Sequence, residues 1–340
     1  MPEDSIAHID FENLNSRAIS PPLVTHIFTA DPSAHVFEGK IYLYSSHDIP
    51  TDIPFDDLGS HFAMEDYHVF SLDRINGEVT DHGVALHIKD VLWAEKQLWA
   101  PDAACRNGKY FLYFPAKRPD GLFQIGVATS DSPGGPFIPE GSPIDNSYSI
   151  DPAVFLDDDG KGYLYFGGIW GGQLQWYRNN KYGSLFTEPF PNECALGPRV
   201  ALLSDDMKQF AETVKEILIT DENGHCILKG DFERRFFEAS WMHKYKGKYY
   251  FSYSTGDTHF ICYAIGDNPY GPFTYQGKIL NPVVGWTSHH SICEFNNKWY
   301  LFYHDSSLSK GVTHLRSMKV TELHHDDNGK IETVEPYRNR

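Results

Sequence analysis

The chain has 340 residues, 41% of them hydrophobic and 15% aromatic, which is ample for a large core, and its 28 Gly and 21 Pro suit a turn-rich all-β fold. A formal net charge of -17 argues against nucleic acid or an anionic membrane as a partner and leaves neutral ligands such as sugars open. No long apolar run occurs, so no membrane-spanning helix is expected; residues 1–20 are polar and acidic without a basic-then-apolar leader, so the expected location is the cytoplasm.

In chain order, five stretches share one form: a leading polar or aromatic residue, a short apolar run, a Gly/Asn-Lys turn and an aromatic strand. They run from Asp31 to Tyr44, Trp99 to Tyr113, Asp151 to Phe166, Glu238 to Tyr253 and His289 to Tyr303. Repetition at this scale marks a propeller or array. Each repeat reads as two strands joined by a tight turn. Further strands follow: Gln124–Phe137 and Phe260–Phe273 match each other and share a Pro-x-Gly-Pro-Phe turn, and Tyr67–Val79 has the same strand-turn form. Four short antiparallel strands make a blade, so the fold class is all-β, a single five-bladed β-propeller over 1–340. The blades fall at roughly 26–90, 91–146, 147–230, 231–283 and 284–340. Asp31, Trp99, Asp151, Glu238 and His289 each sit 9 or 10 positions before a turn lysine. They are expected to occupy one equivalent place per blade and to converge on one mouth of the central channel. A competing reading is that these residues only start strands, since Asp-Pro is a good turn starter; three carboxylates in register on separate blades favour function.

Cys105, Cys194, Cys226, Cys262 and Cys293 are odd in number, scattered and without a CxxC pair, so neither a disulfide framework nor a thiolate zinc site is expected. Two or three carboxylates ringed by Trp and Tyr are what glycoside hydrolysis needs: one activates water and a protonated one serves the leaving oxygen.

At Thr29-Ala-Asp-Pro, Trp99-Ala-Pro-Asp, Ser149-Ile-Asp-Pro-Ala-Val, Phe237-Glu-Ala-Ser, Ser288-His-His-Ser and His314-Leu-Arg-Ser the chain resembles family 43 glycoside hydrolases, from about Ile27 to Val320. That family includes β-xylosidases and α-L-arabinofuranosidases. It usually has Glu-Gly-Pro where this chain has Glu238-Ala-Ser. The resemblance implies Asp31 as general base, Glu238 as general acid, and Asp151 as the group that raises the Glu238 pKa and orients it. It implies that Arg316 bonds substrate and steadies the carboxylates. It also implies inversion, which predicts carboxyl groups of Asp31 and Glu238 about 6.5–9.5 Å apart. The matching histidine, His289, is implied as ligand of a divalent cation, usually calcium; the plain alternative is a buried histidine bonded to Asp151 or water. Trp99, Trp170, Phe237 and Trp286 are candidates for the sugar platform, and Thr258 and His259 for the pocket rim. Asp102 is expected out of register, and Asp157, Asp158 and Asp159 as a solvated turn.

The expected activity is β-xylosidase on short β-1,4-xylo-oligosaccharides. An α-L-arabinofuranosidase, alone or as a second activity, is the first rival, and a non-catalytic sugar-binding propeller the rival from another class. The partner is a small oligosaccharide.

Overall fold

The computed structural model describes residues 6, 8–183, 185 and 188–339. It resolves the repeats into five small sheets. Blade 1 is β1 (Phe28–Phe37), β2 (Lys40–Asp48), β3 (Asp66–Leu72) and β4 (Val79–His87). Blade 2 is β5 (Asp102–Arg106), β6 (Lys109–Lys117), β7 (Phe123–Ser130) and β8 (Ile138–Pro139). Blade 3 is β9 (Ala153–Leu156), β10 (Gly162–Phe166), β11 (Arg199–Leu202) and β12 (Lys215–Glu216). The short β13 (Ile219–Thr220) then joins blade 4, pairing parallel with β17. The rest of blade 4 is β14 (Glu238–Tyr245), β15 (Lys248–Ser254), β16 (Ile261–Gly266) and β17 (Phe273–Leu280). Blade 5 has three strands, β18 (His290–Phe295), β19 (Lys298–Asp305) and β20 (Ser317–Leu323).

The recurring Lys turn has a backbone cause. The two residues before the lysine take positive φ in four blades: Glu38 and Gly39, Asn107 and Gly108, Lys246 and Gly247, Asn296 and Asn297. Positive φ at both central residues is the type I′ hairpin, whose twist matches that of the flanking strands. In blade 3 a longer loop closes from Asp157 to Lys161, with Asp157 N–H on the Lys161 carbonyl at 2.9 Å. Asp157 is not solvated there. It accepts from Lys244 Nζ at 2.8 Å and Tyr249 Oη at 2.5 Å of the neighbouring blade. The cross-blade cation gives a buried carboxylate the partner that a free turn would lack.

Innermost strands β1, β5, β9, β14 and β18 touch one another in ring order and line the channel, with β18 back against β1. Apolar clusters fill the wedges between blades: Tyr44, Tyr67 and Leu112 join blades 1 and 2, and Ile41, Phe70 and Phe302 join blades 1 and 5. The N-terminal segment closes the ring. Leu23 N–H bonds Met318 O at 2.8 Å and Val320 N–H bonds Ser20 Oγ at 3.1 Å, so this segment runs along the outer edge of β20. It covers the edge that a three-stranded blade would leave open. Before it lies the helix α1 (Phe11–Arg17), capped by Asp10 accepting from Asn13 N–H at 3.0 Å.

The cysteine expectation is corrected. Cys194 and Cys226 form a disulfide, 32 residues apart. A backbone bond from Ala195 N–H to Ile227 O at 2.9 Å brings their segments together. Such a contact has no signature in spacing. No helix among the described residues is long and apolar enough to cross a membrane.

Candidate active site

The heads of the innermost strands are irregular, and that irregularity aims the site. β1 bulges between Ala30 and Ser33, and β14 bulges in the same way between Glu238 and Trp241. Counting from the paired positions makes Asp31 equivalent to Asp151, Ala239 and His289, and makes Glu238 and Trp99 each one residue earlier. The expectation of one equivalent place is corrected accordingly. Asp31, Asp151 and Ala239 all have left-handed backbones, with φ of 52°, 56° and 63°. Such conformations cost energy outside glycine and gather at functional sites. Ala239 stands where the resemblance leads one to expect Gly, so this chain holds an Ala in a conformation that Gly would adopt freely. Its amide is used: Ala239 N–H donates to Asp151 Oδ2 at 2.7 Å.

Asp31, Asp151, Glu238, His289 and Arg316 line one pocket of about 590 Å³, open solvent at its mouth included, together with Trp99, Trp170, Phe237 and Trp286. Asp31 is 4% exposed. Arg316 Nη1 donates to its Oδ1 at 2.9 Å and Ser46 Oγ to its Oδ2 at 2.7 Å. Its own N–H donates to His304 Nδ1 at 3.0 Å. Burial pushes this carboxyl up, but Arg316, His304, His289 and Ser46 together outweigh it and the net shift is downward. Asp31 is therefore an ionised carboxylate. His304 is driven down to about 3 by burial and Arg316, so it is neutral, and its Nε2 lies 3.1 Å from both the hydroxyl and the carbonyl of Thr287.

Glu238 is set differently. Its side chain is partly open to the pocket. Burial, then the charges of Asp151 and Asp31, raise its pKa well above the ordinary carboxyl range, against a smaller pull from Arg316. Asp151 is itself pushed up to about 6, mainly by burial, with His289 and the Ala239 amide pulling down. Two neighbouring carboxyls that both resist ionisation keep a proton between them at neutral pH.

Arg316 is held by a residue that the sequence did not single out. Asp48 Oδ1 accepts from Nη2 at 2.8 Å, and Asp48 Oδ2 accepts from Nε and from the Arg316 backbone N–H, both at 2.8 Å. Burial pushes the Asp48 carboxyl up and the guanidinium pulls it back. Because arginine stays charged and presents a fork, this is a bidentate ion pair. His61 was also missed. It lines the pocket, is 2% exposed, and neither ring nitrogen has a partner among the described residues. It lies between Phe55 and Phe62, with ring centroids 4.7 and 4.3 Å away, and burial drives it to about 4, hence neutral. His61 and Asp48 belong to, or border, the segment between β2 and β3, which no repeat signal covers.

The aromatic candidates differ in support. Trp99 is fixed by Nε1–H to Phe62 O at 2.8 Å. Trp170 is fixed by Nε1–H to Glu188 Oε1 at 2.8 Å, stacks on Trp286 at 6.0 Å and meets Phe237 edge-on at 5.3 Å. His259 stands behind Trp286, edge-on at 5.1 Å. Thr258 does not reach the pocket. Its hydroxyl turns to Phe232 O at 2.6 Å and Thr255 Oγ1 at 2.7 Å, so local hydrogen bonds draw it to the far side of its loop. Asp102 lies two residues past the position equivalent to Asp31 and is structural: it accepts from Val154 N–H at 2.5 Å, lies 2.6 Å from His35 Nε2 and also holds Ser33.

His289 Nε2 is buried with no hydrogen-bond partner among the described residues, 3.9 Å from Asp151 Oδ1, while Nδ1 faces the His290 amide at 3.0 Å. An orphaned buried nitrogen beside a carboxylate suits a cation otherwise held by water. With Nδ1 accepting from His290, the ring hydrogen sits on Nε2; a cation at Nε2 needs the other tautomer, with the hydrogen on Nδ1 and the His290 amide contact given up.

A propeller whose channel mouth pairs an ionised carboxylate with a protonated one is equipped to hydrolyse glycosidic bonds. The family model described as glycosyl hydrolases family 43 matches residues 22–331, and the chain belongs to that family. It is 61% identical over 324 residues to a xylosidase/arabinosidase of Humicola insolens, covering 93% of this chain and 99% of that one. It is 57% identical over 309 residues to a β-xylosidase of Xylanibacter ruminicola, covering 90% and 97%. Among solved structures, a β-xylosidase/α-arabinofuranosidase from a compost metagenome, in complex with xylotriose and described as calcium-free, superimposes with TM-score 0.93 at 67% identity, covering 94% and 98%. A Xanthomonas citri family enzyme complexed with xylotriose gives TM-score 0.92 at 58% identity, covering 96% and 97%.

Proposed function

We propose that this glycoside hydrolase is an inverting, exo-acting β-xylosidase that releases xylose from short β-1,4-xylo-oligosaccharides, with α-L-arabinofuranosidase as a second activity. The observation that carries the reading is the opposite protonation of two carboxyls facing one pocket, Asp31 ionised and Glu238 neutral. In this reading Asp31 takes a proton from a water as its oxygen attacks the anomeric carbon. Glu238 gives its proton to the glycosidic oxygen as the carbon–oxygen bond breaks. Solvent exchange then resets both groups. Asp151 keeps Glu238 protonated, and Arg316 keeps Asp31 charged and aimed. The names of the relatives support both sugar classes. A calcium ion at His289 belongs to the same reading, held by Nε2 and water; when bound it would supply positive charge beneath the carboxylates.

The test pairs nitrophenyl β-xyloside with nitrophenyl α-arabinofuranoside, with and without chelator, and follows the released anomer by NMR. Cleavage of the xyloside with the α-anomer of xylose appearing first is expected. Failure of folded protein to cleave either sugar would overturn the reading. Asp151→Asn removes a negative charge beside Glu238, so Glu238 loses its proton at lower pH. The alkaline limb of the kcat/KM profile should move to lower pH in that variant.

A further inference from the structure

We propose that His47, Asp66 and His68, on the second and third strands of blade 1, form a binding site for a divalent transition-metal ion of the Zn²⁺ type. None of the three lines the sugar pocket. Strand register brings them together: Ser45 pairs with His68 and Ser46 with Tyr67, so His47 and Asp66 are the next cross-strand neighbours, and Asp66 and His68 share one face. One ligand atom from each lies within 4.8 Å of the others. Asp66 Oδ1 is 2.7 Å from His47 Nδ1 and 3.9 Å from His68 Nε2. Ligands on a tetrahedral zinc stand about 3.3 Å apart, and the two observed spacings bracket that value.

The outer contacts strengthen the case. His68 turns Nε2 towards Asp66 while its Nδ1 lies 3.1 Å from Asp81 Oδ1. Asp81 is itself fixed by the Gly83 N–H at 2.7 Å and by His26 Nε2 at 2.8 Å. A carboxylate on the far nitrogen is how proteins orient a histidine whose near nitrogen must present a lone pair to a metal. The His47 and His68 rings stand 5.0 Å apart at 68°, each with a nitrogen within 4 Å of the same Asp66 oxygen. A plain ion pair between His47 and Asp66 would not need His68 to aim at the same atom. Two imidazoles and one carboxylate select zinc and its neighbours over calcium, and leave a fourth position for water. The three side chains are 13–20% exposed, within reach of an ion from solvent. An ion here would staple β2 to β3 one residue from Asp48, which anchors Arg316.

The test is equilibrium dialysis of the full chain against micromolar Zn²⁺ after stripping with chelator, read by elemental analysis and by thermal melting. Wild type should retain one zinc per chain and melt at higher temperature with zinc than without. The double variant His47→Gln/His68→Gln should lose that zinc and the zinc-dependent shift, while His289→Gln keeps both. Asp81→Asn, which leaves the three ligands intact, should weaken zinc binding about 10–100-fold. Circular dichroism of each variant checks that it is folded. Folded wild type retaining no zinc, or a double variant with unchanged stoichiometry, would overturn the proposal.

Discussion

The heads of β1 and β14 carry the same bulge, yet their carboxylates end in opposite states. Asp31 is nearly sealed from solvent and still ionised, because a guanidinium donates to one of its carboxylate oxygens and a hydroxyl to the other. Glu238 stays neutral because burial raises it first, the charges of Asp151 and Asp31 add to that, and Arg316 pulls back only weakly. Burial raises both carboxyls, and their partners decide which ends as base and which as acid. The bulge explains how one motif serves both: a one-residue offset places Asp31 at the left-handed position and Glu238 just before it.

The largest expected effect breaks this pairing outright. Glu238→Gln should lower kcat on nitrophenyl β-xyloside by about 10²–10⁴-fold, the usual worth of positioned acid–base catalysis. Asp31→Asn should do the same, but with a different signature. In the Glu238 variant the alkaline limb of the pH profile disappears, since the group whose deprotonation ends activity is gone. In the Asp31 variant the acid limb disappears. Identical pH profiles for the two variants would refute the division of roles.

Asp48→Ala attacks the comparison from below. It leaves the buried Arg316 without its bidentate partner, and breaking such a pair costs about 3–5 kcal/mol. Urea unfolding at pH 7 should show that loss, with a fall in kcat/KM as Arg316 shifts off Asp31. A variant as stable as wild type would mean that Asp31 alone suffices to anchor Arg316.

His61 sharpens the pocket side. A neutral imidazole with two nitrogens unpaired among the described residues, in the pocket of the carboxylates, suits a substrate hydroxyl, since buried polar groups left unpaired are costly. His61→Phe keeps the ring and removes both nitrogens. It should lower kcat/KM about tenfold, equivalent to ~1.4 kcal/mol. No change would place the His61 nitrogens away from substrate.

The propeller was legible because its repeats are local: a type I′ turn and an aromatic strand leave their pattern within about fifteen residues. The offset of Glu238 was not, because one spacing has two origins. Asp151 sits 10 residues before its lysine through a longer turn, whereas Glu238 does so by starting one position earlier. Asp48 and His61 lie at or in a segment outside the repeats, and what marks them is an orphaned nitrogen or a salt bridge that only the fold creates. Thr258 was placed by proximity in sequence to a strand end, and local hydrogen bonds turned it away. The Cys194–Cys226 bridge joins two segments whose meeting no spacing rule anticipates.

The smallest expected effect concerns the aromatic wall at Trp170. Trp170 depends on Glu188, which also pairs with Lys229 Nζ at 3.2 Å, and both partners lie in or beside the segment clamped by the disulfide. Glu188→Ala leaves the indole stacked on Trp286 but free to rock about its Nε1 edge. A hydrogen bond to a charged acceptor is worth about 1.5–3 kcal/mol, yet only part of it bears on substrate, because Trp286 and Phe237 still confine the ring. KM for xylotriose should therefore rise about two- to fivefold, with kcat unchanged, as uniform binding is lost and the carboxylates are untouched. A drop in kcat instead would mean that Trp170 reaches past the platform to the carboxylates themselves. In that case the acid side of the site would depend on Glu188 as closely as the base side depends on Asp48.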